Sequence, residues 1–400
     1  MTVVPDTLLD RVRRRLADDD DAPTTARVAA ALRAEGGGVQ GDSVLFDVLR
    51  RLQSEIVGAG PLEPLLQDPE VTDVLVNAPE EVWVDRGSGL ERAPVRFADD
   101  LAVRRLAQRL VAPTGRRLDD AQPWVDARLA DGTRLHAVLA PIAPRATCLS
   151  LRLPRRRTFG LAELVAAGTV PPAGAAVLRA VVEARLAFLV TGGTGTGKTT
   201  LLSVLLGLVD PAERLVLVED AGELRPEHAH VVRLESRPAN LEGMGAVSLR
   251  DLVRQALRMR PDRLVVGEVR GGEVTDLLSA LNTGHDGGCG TVHANSAAEL
   301  PSRLEALGVA AGLPRAALHS QLAAAVQVVI HLGRDRTGQR RVVELDVLST
   351  GADGLVSALP AVVFKPAGAV WGPGGPRLRR LVAEREVEAP YTGITEATPV

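Results

Sequence analysis

Residues 191–199 read Thr-Gly-Gly-Thr-Gly-Thr-Gly-Lys-Thr. Gly192 and Gly197 frame four residues and are followed by Lys198 and Thr199, the G-x-x-x-x-G-K-[ST] pattern of a phosphate-binding loop. Glycines let backbone N–H groups turn inward and approach phosphate oxygens closely. A helix starting at Lys198 adds its positive dipole end. The pattern assigns Gly192, Gly193, Thr194, Gly195, Thr196, Gly197, Lys198, Thr199 and Thr200 to the phosphates of a nucleotide. Within it, the Lys198 ammonium reaches the β- and γ-phosphates and the Thr199 hydroxyl ligates Mg²⁺. The chain has only two lysines, Lys198 and Lys365, against 45 arginines. At Lys198 it keeps the compact ammonium that a planar guanidinium cannot replace inside such a loop.

Hydrolysis of a bound triphosphate also needs support for Mg²⁺, a group that orients water, and charge that stabilises the transition state. Leu264-Val-Val-Gly-Glu268 is an apolar run ending in a carboxylate, where a strand end would deliver it to a ligand crevice. Glu268 could polarise water or hold Mg²⁺ through water. Leu215-Val-Leu-Val-Glu219-Asp220 repeats the pattern, which makes Glu219 a second catalytic or metal candidate. His285 and His293 stand eight residues apart around a glycine-rich turn, and are read as γ-phosphate sensors. Zinc is not expected at that pair, which lacks further ligands.

Several elements must position these groups. Leu186–Thr191 reads as a buried strand before the loop, and Thr200–Leu206 as a helix start after it. Residues 158–348 alternate strand and helix, the signature of a mostly parallel sheet with helices on both faces. Strands are expected at Arg214–Val218, Val231–Leu234, Leu264–Gly267 and Gly290–Val292, with helices near 161–166, 172–184, 248–259, 273–282, 296–307 and 314–325. Val328–Leu332 and Arg341–Leu348 are expected as closing antiparallel strands.

Upstream, residues 65–153 read as a small α/β domain. Its strands are expected at Val71–Val76, Glu81–Val84, Val125–Leu129, Arg134–Leu139 and Cys148–Leu153, its helix at Asp99–Val111, and a hairpin turn at Asp131-Gly132. Pro154-Arg-Arg-Arg157 leads out as a linker. Residues 1–57 read as helices with polar and glycine-rich breaks. The last fifty residues are rich in Gly, Pro and Ala; Leu355–Phe364 is expected to add a strand or two, and disorder is expected beyond Glu386.

The bulk numbers bound the function. Net charge is −3 and aromatics are 2%, so neither a global basic field nor stacking platforms argue for direct nucleic-acid binding. Two cysteines, Cys148 and Cys289, suit a reducing cytoplasm and build no disulfide framework. No secretory leader and no apolar run long enough to insert into a membrane are read from the chain.

Taken in order, the loop, Val-Glu-Asp-Ala-Gly-Glu-Leu at 218–224, Arg-Met-Arg-Pro-Asp-Arg-Leu-Val-Val-Gly-Glu-Val-Arg-Gly at 258–271, Thr-Gly-His-Asp-Gly at 283–287 and Thr-Val-His-Ala-Asn at 291–295 resemble the secretion ATPases of type II and type IV systems. In that family these are the Walker A, Asp box, Walker B and His box. The nearest likeness is to the CpaF-like branch of Tad/Flp pilus assembly. Gly58-Ala-Gly-Pro-Leu-Glu-Pro-Leu-Leu, Val71-Thr-Asp-Val-Leu-Val-Asn and Asp126-Ala-Arg-Leu-Ala-Asp-Gly-Thr-Arg134 resemble the family's N-terminal domain. The resemblance implies a RecA-like P-loop NTPase domain over 161–350, a smaller N-terminal α/β (PAS-like) domain over 58–153, a linker at 154–160, a helical extension over 1–57 and a partly disordered extension over 351–400. It implies ATP and Mg²⁺ as cofactors, Glu268 as the water-activating group, and Arg128 and Arg134 as arginines that approach the phosphates when the domains close. It also implies a homohexameric ring at the cytoplasmic face of the inner membrane, working on polytopic platform proteins; a DNA-linked conjugation ATPase is the alternative. Cys289 and Gly222 depart from the usual family pattern, and Arg152 stands in an altered linker, so its family role there is open.

Overall fold

The computed structural model describes residues 58–396, apart from positions 88, 155–158, 238, 240–243, 366–367 and 389–390, together with the isolated positions Ala30 and Ala34. The N-terminal helices expected over 1–57 therefore lie outside the described residues. The chain divides into two compact units between Arg156 and Arg157.

In the first unit a two-residue alternation in most strands makes a one-sided sheet. Strands β1 (Asp73–Ala78), β2 (Glu81–Asp85), β3 (Leu90–Arg92), β4 (Trp124–Arg128), β5 (Arg134–Val138) and β6 (Cys148–Arg152) form a fully antiparallel sheet in the order β3-β2-β1-β6-β5-β4. Val74, Val76, Val82, Val84, Leu135, Ala137, Leu149 and Leu151 point inward. There they meet Val103, Leu106, Ala107 and Val111 on one face of helix α2 (Asp100–Val111); the short α1 (Glu63–Gln67) adds Leu65. Asp99 caps α2 by accepting from the Ala102 amide at 2.7 Å. The three-residue β3 was not legible, because all three of its residues are exposed and show no alternation. The β4–β5 hairpin turns at Gly132 (φ +89°), and Asp131 accepts from the Thr133 amide and hydroxyl at 2.9 and 2.8 Å. That register sets Arg128, Arg134, Arg152 and Asp73 side by side in one row.

The second unit is a ten-stranded sheet: β7 (Phe188–Gly192), β8 (Leu215–Glu219), β9 (Val231–Glu235), β10 (Arg263–Val269), β11 (Cys289–Val292), β12 (Val328–Arg334), β13 (Arg340–Thr350), β14 (Val356–Lys365), β15 (Gly368–Trp371) and β16 (Ile394–Thr395). They run β16-β15-β14-β13-β12-β7-β11-β10-β8-β9. The half from β12 to β9 is parallel. Its central strands are apolar on both sides because helices cover both faces. One core gathers α3 (Leu161–Ala166), α4 (Pro172–Glu183), α5 (Lys198–Leu206) and α10 (Gly375–Ala383). The other gathers α6 (Leu249–Ala256), α7 (Glu273–Leu281), α8 (Leu300–Ala310) and α9 (Arg315–Ala325).

Three expectations change. Strand β12 is parallel to β7, in register from Val328↔Phe188 to Leu332↔Gly192, and only β13 onward reverses direction. The α8–α9 crossover from β11 delivers β12 in the parallel sense, as a crossover must. Helix α8 starts at Leu300, with Pro301 in its first turn, rather than at 296. The glycine-rich C-terminal stretch is built into the unit, including residues beyond Glu386: Tyr391 meets Trp371 edge-on at 5.2 Å, and β16 pairs with β15. Its glycines serve close approach. A Cβ on Gly372 would lie 2.2 Å from the Pro360 carbonyl oxygen, and one on Gly374 2.6 Å from that of Leu359.

Candidate active site

Parallel strands place their C-terminal ends along one edge of a sheet, which is where side chains can converge on a ligand. Here β11 lies between β7 and β10. The glycine-rich loop leaves β7, His293 follows β11 directly, and Glu268 sits near the end of β10.

The loop's shape follows from its glycines. Gly192, Gly195 and Gly197 have φ of +149°, +71° and +97°, values that L side chains avoid. At Gly192 a Cβ would also lie 2.5 Å from the Leu332 carbonyl oxygen of β12. Gly197 is the N-cap of α5, whose first residue is Lys198. The Thr196 hydroxyl donates to the Gly193 carbonyl at 2.9 Å. Lys198 is buried, and its Nζ donates to the Gly192 and Gly193 carbonyls at 3.0 Å each. Burial lowers the ammonium pKa, and the Glu268 carboxylate partly offsets this.

Lys198 Nζ also lies 3.4 Å from both ring nitrogens of His293, and His293 Nε2 lies 2.5 Å from Glu268 Oε1. The ammonium is thus equidistant from the two ring nitrogens, while Nε2 is the one that meets the Glu268 carboxylate. The structure thus joins three sequence-predicted residues, placed at the ends of or just beyond three adjacent strands, in one contact chain. Backbone ties fix them: Thr291 Oγ1 donates to the Gly267 carbonyl at 2.7 Å, coupling β11 to β10. The Glu273 carboxylate accepts from the Arg270 and Gly271 amides at 2.7 and 2.8 Å, shaping the turn after Glu268.

Other predicted residues are placed differently. Glu219 is buried, and its Oε1 accepts from the Glu223 and Leu224 amides at 2.9 Å each. Burial pushes its carboxyl pKa up, those two amides acting against it. One oxygen of this metal candidate thus holds its own loop, while Oε2 has no hydrogen-bond partner among the described residues. Asp220 accepts from Ser236 Oγ at 2.9 Å and pairs with Arg270. His285 precedes β11 while His293 follows it, so four strand residues separate them and the two sit at opposite ends of the sheet. His285 Nδ1 lies 3.1 Å from the Ala280 carbonyl, at the end of α7. The two histidines are therefore not brought together: His293 stands beside the loop and His285 does not. Cys289 is wholly buried, and desolvation pushes its thiol up to about 12. Arg128 and Arg134 belong to the first unit and face each other across β4–β5.

Sequence reading missed the polar group beneath the loop. Thr191 Oγ1 lies 2.9 Å from Nδ1 of the buried His331 on β12. His331 is in register with Glu344 on β13, which accepts from the Ala297 amide beyond His293. Its only sequence signal was a histidine and a glutamate inside otherwise apolar strands.

A Gly-rich loop running into a helix, a buried lysine, and a strand-end glutamate one strand away define a P-loop NTPase of RecA-like fold, carrying a smaller N-terminal α/β unit. The "Type II/IV secretion system protein" family model matches residues 55–358, and the chain belongs to that family. It is 62% identical over 325 residues to a putative conjugal transfer protein of Mycobacterium tuberculosis, covering 80% of this chain and 92% of that one. It is 34% identical over 315 residues to the type IV secretion system protein PtlH of Bordetella pertussis, covering 71% and 92%. Among solved structures, the pilus retraction motor PilT with bound ADP shares the fold at a TM-score of 0.54 and 20% identity, covering 73% of this chain and 83% of that one. The Legionella pneumophila ATPase DotB does so at 0.50 and 20%, covering 76% and 80%.

Proposed function

We propose that this chain is an ATP-hydrolysing motor subunit of a pilus-assembly or secretion machine, of the Tad/Flp type. The observation that carries the reading is the contact of Lys198, His293 and Glu268 across three strand ends beside the loop. The loop amides and the N-terminus of α5 receive the phosphates. Lys198 exchanges the Gly192 and Gly193 carbonyls for phosphate oxygens. That withdraws it from His293, which then reports the γ-phosphate to Glu268. Glu268 accepts a hydrogen bond from the attacking water and orients it in line.

The donor set fits Mg²⁺. Thr199 stands at the start of α5 with Glu268 as the nearby carboxylate, and among the described residues no group of three or more His, Cys, Asp or Glu could hold a metal alone. An ion that keeps several waters and arrives with phosphates suits such a site. Thr199 and Glu268 would hold it, partly through water, and it would supply positive charge to offset that of the phosphates. Arg128 and Arg134 supply further charge as the first unit closes during turnover. The working form is a homohexameric ring at the cytoplasmic face of the membrane, coupled to polytopic platform proteins; among the described residues no helix is long and apolar enough to cross a membrane.

Purified Lys198→Ala should keep the wild-type melting profile and lose ATP turnover; wild-type turnover in that variant sinks the reading. A second reading, a conjugation ATPase linked to DNA transfer, is favoured by the description of the 62% identical relative as a putative conjugal transfer protein. A steep salt dependence of duplex binding would select it; the net charge of −3 argues for none.

A further inference from the structure

Strand β12 does more than flank the loop. Its last residue, Arg334, reaches over it: Nη2 donates to the Gly195 carbonyl at 2.7 Å, and Nη1 donates to the Gly338 carbonyl at 2.9 Å. The turn between β12 and β13 is built to hold that guanidinium. Asp335 Oδ1 accepts from the Thr337 amide at 2.9 Å, the Thr337 hydroxyl at 2.5 Å and the Gln339 amide at 3.0 Å. Gly338 adopts φ +84°, which presents its carbonyl to Arg334. The Gln339 side chain donates to the Ala167 carbonyl at 2.9 Å, tying the turn to the end of α3.

Gly195 is exposed, has φ +71°, and lies between two further loop glycines, Gly193 and Gly197. Such a segment costs little to re-orient. A trans peptide unit is planar, with its C=O and N–H pointing in opposite directions. Whatever holds the Gly195 oxygen therefore also aims the Thr196 N–H. We propose that Arg334 is a positioning residue for the nucleotide: by holding the Gly195 carbonyl from outside the loop, it turns the Thr196 N–H toward the phosphates. This rests on the phosphate-loop assignment above. Arg334 binds the loop backbone and acts through it, so the contact favours phosphate affinity over the chemical step.

The test is steady-state ATP turnover and pyrophosphate binding by the full-length protein. A charge-assisted hydrogen bond to a neutral carbonyl sets the scale, so Arg334→Ala should raise KM for ATP about tenfold and weaken pyrophosphate binding in parallel, with kcat within about threefold. Arg334→Gln keeps an N–H donor without the charge and Arg334→Lys keeps both; each should recover part of the lost affinity. Recovery by Arg334→Lys alone would mean that the charge acts on the phosphates directly, and would overturn the clamp. So would an unchanged KM in Arg334→Ala while Lys198→Ala loses ATP binding, an outcome that leaves the site reading intact. If Lys198→Ala also binds ATP as the wild type does, the loop assignment itself fails. Should Arg334→Ala fail to fold, the Arg334→Gln and Arg334→Lys pair decides by the same comparison.

Discussion

Glu268 and His293 were legible because each is a short-range signal: a carboxylate closing an apolar strand, and a histidine closing the next one. His285 differs from them in preceding its strand, and Glu219 in being buried with one oxygen tied to its own loop, neither of which a local pattern carries. Glu219 stands at a strand end too, but two backbone amides already occupy one of its oxygens. Its burial also explains a glycine that the sequence left without a role. A Cβ on Gly267 would lie 2.8 Å from Glu219 Cγ, a buried side chain that cannot swing away. Gly267→Ala is expected to destabilise the fold by about 1–3 kcal/mol by overpacking, read by denaturant titration. No loss of stability would mean that the Glu219 side chain is free to move.

At the scale of elements, the helices and parallel strands followed from periodicity, whereas the sense of β12 depended on the crossover before it. Its pairing with β13 buries a polar cluster that periodicity could not reveal. Asp346 on β13 is buried, and its Oδ1 has no partner among the described residues. Burial first, and then the Glu344 carboxylate, push Asp346 from 3.8 up to about 7. A carboxyl raised in the folded state stabilises the fold while protonated, and that contribution is lost as pH rises through the folded value. Asp346→Asn should therefore stabilise the protein by about 1–3 kcal/mol at pH 8.5, with the gain fading toward pH 4. Thermal melts across that range would show it; parallel pH profiles for the two proteins would contradict it.

At the scale of the whole molecule, the chain divides into two compact units, Arg128, Arg134 and Arg152 share one row of the smaller unit's sheet, and the proposed function gives Arg134 a role at the transition state. Arg134→Ala should then lower kcat about tenfold or more while ATP affinity stays within about threefold, because the charge is needed only in the transition state. Unchanged turnover removes Arg134 from the reaction. Mass measurement with and without MgATP tests the ring: a sixfold mass in nucleotide supports it, and a monomer at every concentration argues against it. The most direct test of the central claim is Glu268→Gln, assayed for both ATP binding and ATP turnover. The contact of Lys198, His293 and Glu268 predicts near wild-type ATP affinity with turnover reduced about a hundredfold or more. Wild-type turnover, or loss of ATP binding, would show that Glu268 supports the structure and not the reaction.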